Sequence, residues 1–288
     1  IGGGSAGCVI ANRLVTAGAS VCVLEAGPVD SNFFIHMPVG FVKTLFNPSL
    51  IWQFYSEPSE GSGGRKLYAP QGKTLGGSSS VNGMVYVRGQ ANDYNAWAQS
   101  GNRGWGYADV LPYFRRIESR MAPHDPNYRG SKGLLPVTDP DWRHPLCEAF
   151  IAGAESIGLP RNADYNGATQ EGTGYYQRTI AGARRISAAR AYLYPVMKKP
   201  NIRVLTDAQA SSLILDGKRV VGVSYRRGGV AAEVRARREV IVSAGAINTP
   251  RLLQLSGIGN PDVLTRAGVT VRHALNGVGE NLSDHYSP

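Results

Sequence analysis

The chain opens Ile1-Gly2-Gly3-Gly4-Ser5-Ala6-Gly7 and, one short amphipathic stretch later, reads Val21-Cys22-Val23-Leu24-Glu25. Gly2, Gly4 and Gly7 have the spacing of a dinucleotide-binding turn. The first glycine permits the tight turn, the second lets a pyrophosphate approach the backbone, and the third lets helix and strand pack closely. Val9, Ile10, Leu14 and Val15 recur at helical spacing, which predicts a helix over about 5–19. The apolar run 20–24 predicts a buried strand. The helix N-terminus, with Ser5 and Ala6, offers free N–H groups and a partial positive charge to phosphates. Glu25 stands 18 residues beyond Gly7, at the strand end where an acid accepts ribose hydroxyls. That acid would repel a 2′-phosphate, so the pattern leaves NAD or FAD and does not separate them. With only Ile1 ahead of the fingerprint and the chain stopping at Pro288, the sequence reads as an internal fragment of a longer protein.

Beyond this unit, residues 28–80 are rich in Pro, Gly and Ser and read as irregular, with a short helix near 38–46. Helices are predicted at 93–98, 108–118, 145–157, 249–255 and 261–267, and a short strand at 134–138. The stretches 203–206, 210–215, 219–225 and 232–242 read as an antiparallel meander, with Asp216-Gly217 as a hairpin turn. At roughly 100–200 residues per domain, 288 residues suggest about two domains.

Composition narrows the function classes. No apolar run approaches the ~20 residues of a membrane-spanning helix. Cys8, Cys22 and Cys147 are too few and too scattered for a disulfide scaffold or zinc site, and read as small buried residues. The net charge of +10 raises nucleic acid as a partner. No nucleic-acid-binding motif accompanies it, however, and the Arg235, Arg237, Arg238 run reads as a solvated strand face.

Two further segments carry chemistry. Residues 72–84, Gly-Lys-Thr-Leu-Gly-Gly-Ser-Ser-Ser-Val-Asn-Gly-Met, strip side chains from a loop and supply short hydrogen-bonding groups, which suits a loop pressed against a large polar ligand. Residues 243–259 end a buried strand in Ser-Ala-Gly-Ala and start a helix. With the glycine fingerprint, these segments resemble the signature motifs of the glucose–methanol–choline (GMC) flavoprotein oxidoreductases. Trp52-Gln53-Phe54-Tyr55 with Glu57-Pro58, residues 185–193, and residues 277–285 resemble the same family in the same order. The likeness spans the whole chain and is nearest the choline dehydrogenase-like branch.

The resemblance implies an α/β fold: a Rossmann-like FAD-binding domain, 1–130 and 198–288, with the start of an α+β substrate domain inserted at 131–197. It implies FAD as cofactor. Gly2, Gly4, Ser5, Ala6 and Gly7 would hold the pyrophosphate and Glu25 the adenosine ribose. Ser78, Asn82, Gly83, Met84 and Val85 would lie along the pyrophosphate, ribityl chain and flavin. Ala210 would meet the adenine, Ala244 and Gly245 would pass close to the cofactor, and Trp52, Asp284 and His285 would lie near it. Some members attach FAD through a His before the loop's Asn. Val81 stands there, so non-covalent FAD is expected.

The implied reaction oxidises a primary alcohol, choline-like or other, to the aldehyde by hydride transfer to flavin N5. The acceptor, whether oxygen, a quinone or a dye-like compound, is left open. The implied catalytic His pair lies in a C-terminal half beyond these residues. His36, His124, His144 and His273 read as surface or structural residues, and no catalytic residue is assigned. A hydroxynitrile lyase, a photodecarboxylase or an inactive FAD-binding fragment would use the same fold. A cytoplasmic or peripherally membrane-associated location is expected.

Overall fold

Val21–Leu24 is a run of β-branched and apolar residues too short to be a helix, and it forms a strand. Its partner is Ile202–Leu205, parallel and in register from Val21 opposite Ile202 to Leu24 opposite Leu205. A computed structural model describes residues 1–284. It divides the chain into two units, residues 1–32, 42–81 and 187–284, and residues 33–41 and 82–186.

In the first unit the helix Ser5–Thr16 buries Gly7, Cys8, Ala11, Asn12 and Val15. It ends sooner than its spacing predicts, before Gly18 at φ 85°. Ala208–Asp216, Arg219–Arg227 and Val230–Arg235 make a three-stranded antiparallel sheet. The left-handed Gly217 and the Gly228-Gly229 pair stand at its two tight turns. Leu24, Leu205, Ala208, Leu213, Val223, Leu252 and Ile258 form the core beneath it. Ser256 ties the helix Gly245–Leu255 to this sheet: its hydroxyl accepts from the Leu213 N–H (2.8 Å) and donates to the Leu252 carbonyl (2.6 Å).

Four expectations are corrected in this unit. Residues 202–205 pair with the first strand rather than with the meander that follows them. The last meander strand stops at Arg235 because the chain changes partner: Ile241 accepts from the Ile1 amino group (2.7 Å), and the Ser243 N–H donates to the Ile1 carbonyl (2.8 Å). The tract 28–80 contains a hairpin, Ile51–Tyr55 against Tyr68–Gly72. Cys22 is exposed, as is Cys147 in the second unit, and of the three only Cys8 is buried.

The second unit contains the helices Ala91–Gln99, Tyr107–Ile117 and Pro145–Ser156. The strand Glu118–Arg120 pairs in parallel with Leu135–Val137. Glu118, fully buried, accepts from Arg88 and from Arg129 (Nε to Oε1, 2.9 Å). Arg129 also meets Asp164 and donates to Gln177 Oε1 (3.0 Å). These ties draw residues 82–130 into the same unit as 131–186. The expected divisions at 131 and 197 therefore differ from the observed ones, which fall after Val81 and after Ile186.

Candidate cofactor site

The fingerprint turn is built by backbone crowding. Gly2 sits at φ 93°, and a side chain there would bring Cβ within 2.4 Å of the Ser243 carbonyl oxygen. At Gly7 a Cβ would lie 1.9 Å from the Gly2 carbonyl oxygen, so only glycine lets the helix start against the turn. Gly4 faces Gly77, where a Cβ would stand 2.7 Å from the Gly4 Cα. The Gly76 N–H donates to the Gly3 carbonyl (2.7 Å). The loop after residue 72 is thus pressed on the fingerprint itself.

Its serines serve that loop. Ser80 Oγ donates to the Leu75 carbonyl (2.6 Å), and Ser79 Oγ donates to the Gly76 carbonyl (2.5 Å). Ser78 stays exposed, its Oγ accepting from the Gly72 N–H (3.1 Å).

Glu25 ends the first strand and is buried. Its Oε2 accepts from the Gly3 N–H (2.8 Å) and its Oε1 from the Gly27 N–H (2.9 Å). Burial pushes its carboxyl up to about 7, with the Gly27 and Gly3 N–H groups opposing that rise. Each carboxylate oxygen keeps a further lone pair for an incoming hydroxyl.

One cleft of about 680 Å³ opens over these groups, within the ~300–1,000 Å³ of small-ligand sites. Gly2, Gly4, Ser5, Ala6, Glu25, Trp52, Ser78, Ala210, Ala244 and Gly245 all line it. Gly7 lies just behind, packing helix on turn. Trp52 carries the Lys73 ammonium over its ring at 4.6 Å. Ala244 caps the helix Gly245–Leu255, whose first residue is left-handed at φ 87°. That helix starts four residues before its predicted start at 249, so Pro250 falls in its second turn, where it has no N–H for the Ala246 carbonyl. Gln209, Asn248, Thr249 and Arg251 also line the cleft. No spacing rule singled them out, although the last three stand in the small-residue segment already noted.

The remaining expected residues are placed elsewhere. Asn82, Gly83, Met84 and Val85 belong to the second unit. Asn82 Oδ1 accepts from the Met84 N–H (3.1 Å) and from Arg185 Nη1 (2.8 Å). Val85 bridges to Arg178. Asp284 is exposed, and His285 lies outside the described residues. His124 and His144 bond their own chain, at the Ala122 carbonyl (2.7 Å) and the Leu146 N–H (3.1 Å). His273 is exposed in a short strand, and His36 ends a single helical turn. Among the described residues no cluster of ligands for a metal ion occurs, and no helix is long and apolar enough to cross a membrane.

FAD fits this cleft on two observations. Gly2, Gly4 and Gly77 line it with bare backbone, since a Cβ on Gly2 or Gly77 would strike Ser243 or Gly4, and the buried Glu25 opens into the same space at the strand end.

Comparison with known proteins agrees. The GMC oxidoreductase family model matches residues 1–287. The chain is 42% identical to an alcohol dehydrogenase [acceptor] of Pseudomonas putida over 99% of its own length and 52% of that protein's. It is 46% identical to an oxygen-dependent choline dehydrogenase of Brucella anthropi, again over 99% of this chain and 52% of the relative. Among solved structures it superposes on pyridoxine 4-oxidase from Mesorbium loti with a TM-score of 0.87 at 35% identity, covering 95% of this chain and 54% of that one. The FAD-dependent oxidoreductase from Chaetomium thermophilum gives a TM-score of 0.90 at 32% identity, over 98% and 51%. The chain thus spans about half the length of these relatives. Its cofactor is FAD, and the chain belongs to the GMC oxidoreductase family.

Proposed function

We propose that this chain supplies the FAD-holding part of an enzyme that oxidises a primary alcohol to the aldehyde. The observation that carries the reading is the single cleft in which the glycine turn, the buried Glu25, Trp52 and the Ala244-Gly245 helix start meet. When bound, FAD supplies the hydride acceptor. The chain's own residues do the holding. Gly4 and the first turn of the Ser5–Thr16 helix present N–H groups to a pyrophosphate, while Gly2, whose N–H donates to the Leu24 carbonyl (2.8 Å), shapes the turn. Glu25 accepts ribose hydroxyls, and Ala210 leaves room for the adenine. A choline-like or other small alcohol is the proposed substrate, supported by the likeness to an alcohol dehydrogenase [acceptor] and an oxygen-dependent choline dehydrogenase. The proposed acceptor is oxygen, a quinone or a dye-like compound. We assign no catalytic residue among the described histidines, since none lines the cleft.

The cofactor is proposed to be non-covalent. Val81, buried at 3% exposure, has only carbon beyond its backbone, so it offers no nucleophile to the flavin. Acid precipitation of the full-length protein should leave the flavin in the supernatant. Flavin that stays with the pellet would refute non-covalent attachment at this site. The activity itself is tested with the full-length protein, FAD, a dye acceptor and a panel of primary alcohols. Alcohol-dependent dye reduction is expected, and a flavin-loaded protein inert across the panel overturns the reading. A cytoplasmic or membrane-peripheral location is proposed, the charge of +10 on these residues suiting an anionic membrane surface, and cell fractionation tests it.

A further inference from the structure

The cleft over the glycine turn has few full charges of its own. Two helices start at its wall, Ser5–Thr16 and Gly245–Leu255, and the first residues of both line it. Neither has an acid in its first turn, so neither positive helix end is compensated there. Among the described lining residues only two side chains ionise, Glu25 and Arg251.

These two differ in kind. Glu25 is buried, and each of its oxygens already accepts a backbone N–H. When ionised it opposes the entry of an anion. Arg251 follows Pro250 in the second turn of the helix Gly245–Leu255 and is exposed. Among the described residues no carboxylate pairs with its guanidinium and no hydrogen bond holds it. Its charge is therefore free to act on whatever enters the cleft. The pyrophosphate of FAD is a dianion, and Arg251 is the one cationic side chain among the described residues that line its cleft.

We propose that Arg251 is a cofactor-binding residue: it supplies the counter-charge that draws the pyrophosphate dianion into the cleft and helps to hold it. The proposal rests on the reading of this cleft as the FAD site. A charge at a cleft with low-dielectric walls acts over a Debye length and needs no bidentate contact. FAD affinity should therefore follow the sign of the charge at 251 rather than the shape of the side chain, and the effect should fade with salt.

The test uses full-length protein prepared without flavin, with FAD binding read from flavin fluorescence. Arg251→Gln removes the charge and keeps nearly the same helix propensity, so it should melt with the wild type. At about 0.01 M salt, where the Debye length is about 30 Å, it should bind FAD at least about threefold more weakly, and near about 1 M, where that length is about 3 Å, the gap should close. Arg251→Lys should stay within about twofold of the wild type, and Arg251→Glu should lose at least about tenfold at low salt. Arg266→Gln removes an exposed charge that does not line the cleft, and should leave affinity unchanged. Wild-type affinity of Arg251→Gln at low salt overturns the proposal. So does a loss that persists at high salt, which would assign Arg251 a local contact, or one that Arg266→Gln reproduces, which would assign the effect to the net charge of the chain. A wild-type protein that retains no FAD overturns the reading of the cleft itself, and so separates the two failures.

Discussion

Replacing Glu25 by Gln should change how stability depends on pH, because the carboxyl is buried and titrates far from its ordinary range. Its carboxyl is pushed up to about 7 from an ordinary 4.5. At about 1.4 kcal/mol per unit the shift is worth about 3 kcal/mol. The sign follows from linkage. The folded state holds its proton more tightly than the unfolded chain, so the contribution is fully present below pH 4.5. It is lost as pH rises towards 7. Gln does not titrate. It also places an NH2 against the N–H of Gly3 or Gly27, since each Glu25 oxygen accepts from one of them, at a pH-independent cost of about 1–3 kcal/mol. The flavin-free variant should therefore be the less stable protein at pH 4.5, with the gap closing or reversing by pH 7.5. Ribose hydroxyls favour the ionised acid, so FAD affinity of the wild type should weaken by up to about tenfold per unit below pH 7, and that of Glu25→Gln should stay flat. Thermal unfolding and FAD titration across pH 4.5–8 measure both. A wild-type-to-variant gap that does not move with pH would mean that the N–H donors outweigh burial and keep Glu25 ionised throughout.

Gly7→Ala would place a Cβ 1.9 Å from the Gly2 carbonyl oxygen. It should destabilise the protein by about 1–3 kcal/mol through overpacking and abolish flavin retention, read from the visible spectrum after gel filtration. Glu118→Gln leaves the buried Arg88 without its carboxylate and Arg129 with Asp164 alone, and should cost about 3–5 kcal/mol in thermal unfolding. Glu233→Gln, from an exposed pair with Arg235, should change it by less than about 0.5 kcal/mol. Met84→Gly and Met84→Ala both empty the same buried space, but only glycine relieves the left-handed backbone. The glycine variant should be the more stable of the two by about 1–2 kcal/mol.

The parts of the fold legible in the sequence are those that backbone geometry dictates locally. The Ser5–Thr16 helix, the 21–24 strand and the hairpin at Asp216-Gly217 each follow from a few adjacent residues. The partner of the 21–24 strand does not, because it lies at 202–205, next in sequence to a meander it does not join. The hairpin at 51–72 was hidden by Pro70 and Gly72, both unfavourable in strands, and by a long connection. The Glu118–Arg88–Arg129–Asp164 cluster joins charges from four separate places with no spacing to announce it. For the same reason the observed boundary after Val81 could not be read from the sequence.

The site shows the same division more sharply. Glycines at 2, 4 and 7 are readable because any side chain would strike backbone or stand in the way of a pyrophosphate. Glu25 is readable because a strand-end acid has one well-defined partner. The walls they belong to are otherwise small residues, Ala210, Ala244 and Gly245 among them, which admit a large cofactor by leaving space. Space is written as an absence of side chains, so it specifies the cofactor's shape and nothing about the reaction. The side chain that orients the Asn82 turn is a buried arginine 103 residues further on, and no local pattern connects the two. A sequence of this kind therefore identifies what is held long before it identifies what is done. The groups that fix such a turn have to be found from hydrogen bonds such as those of Arg185 rather than from motifs.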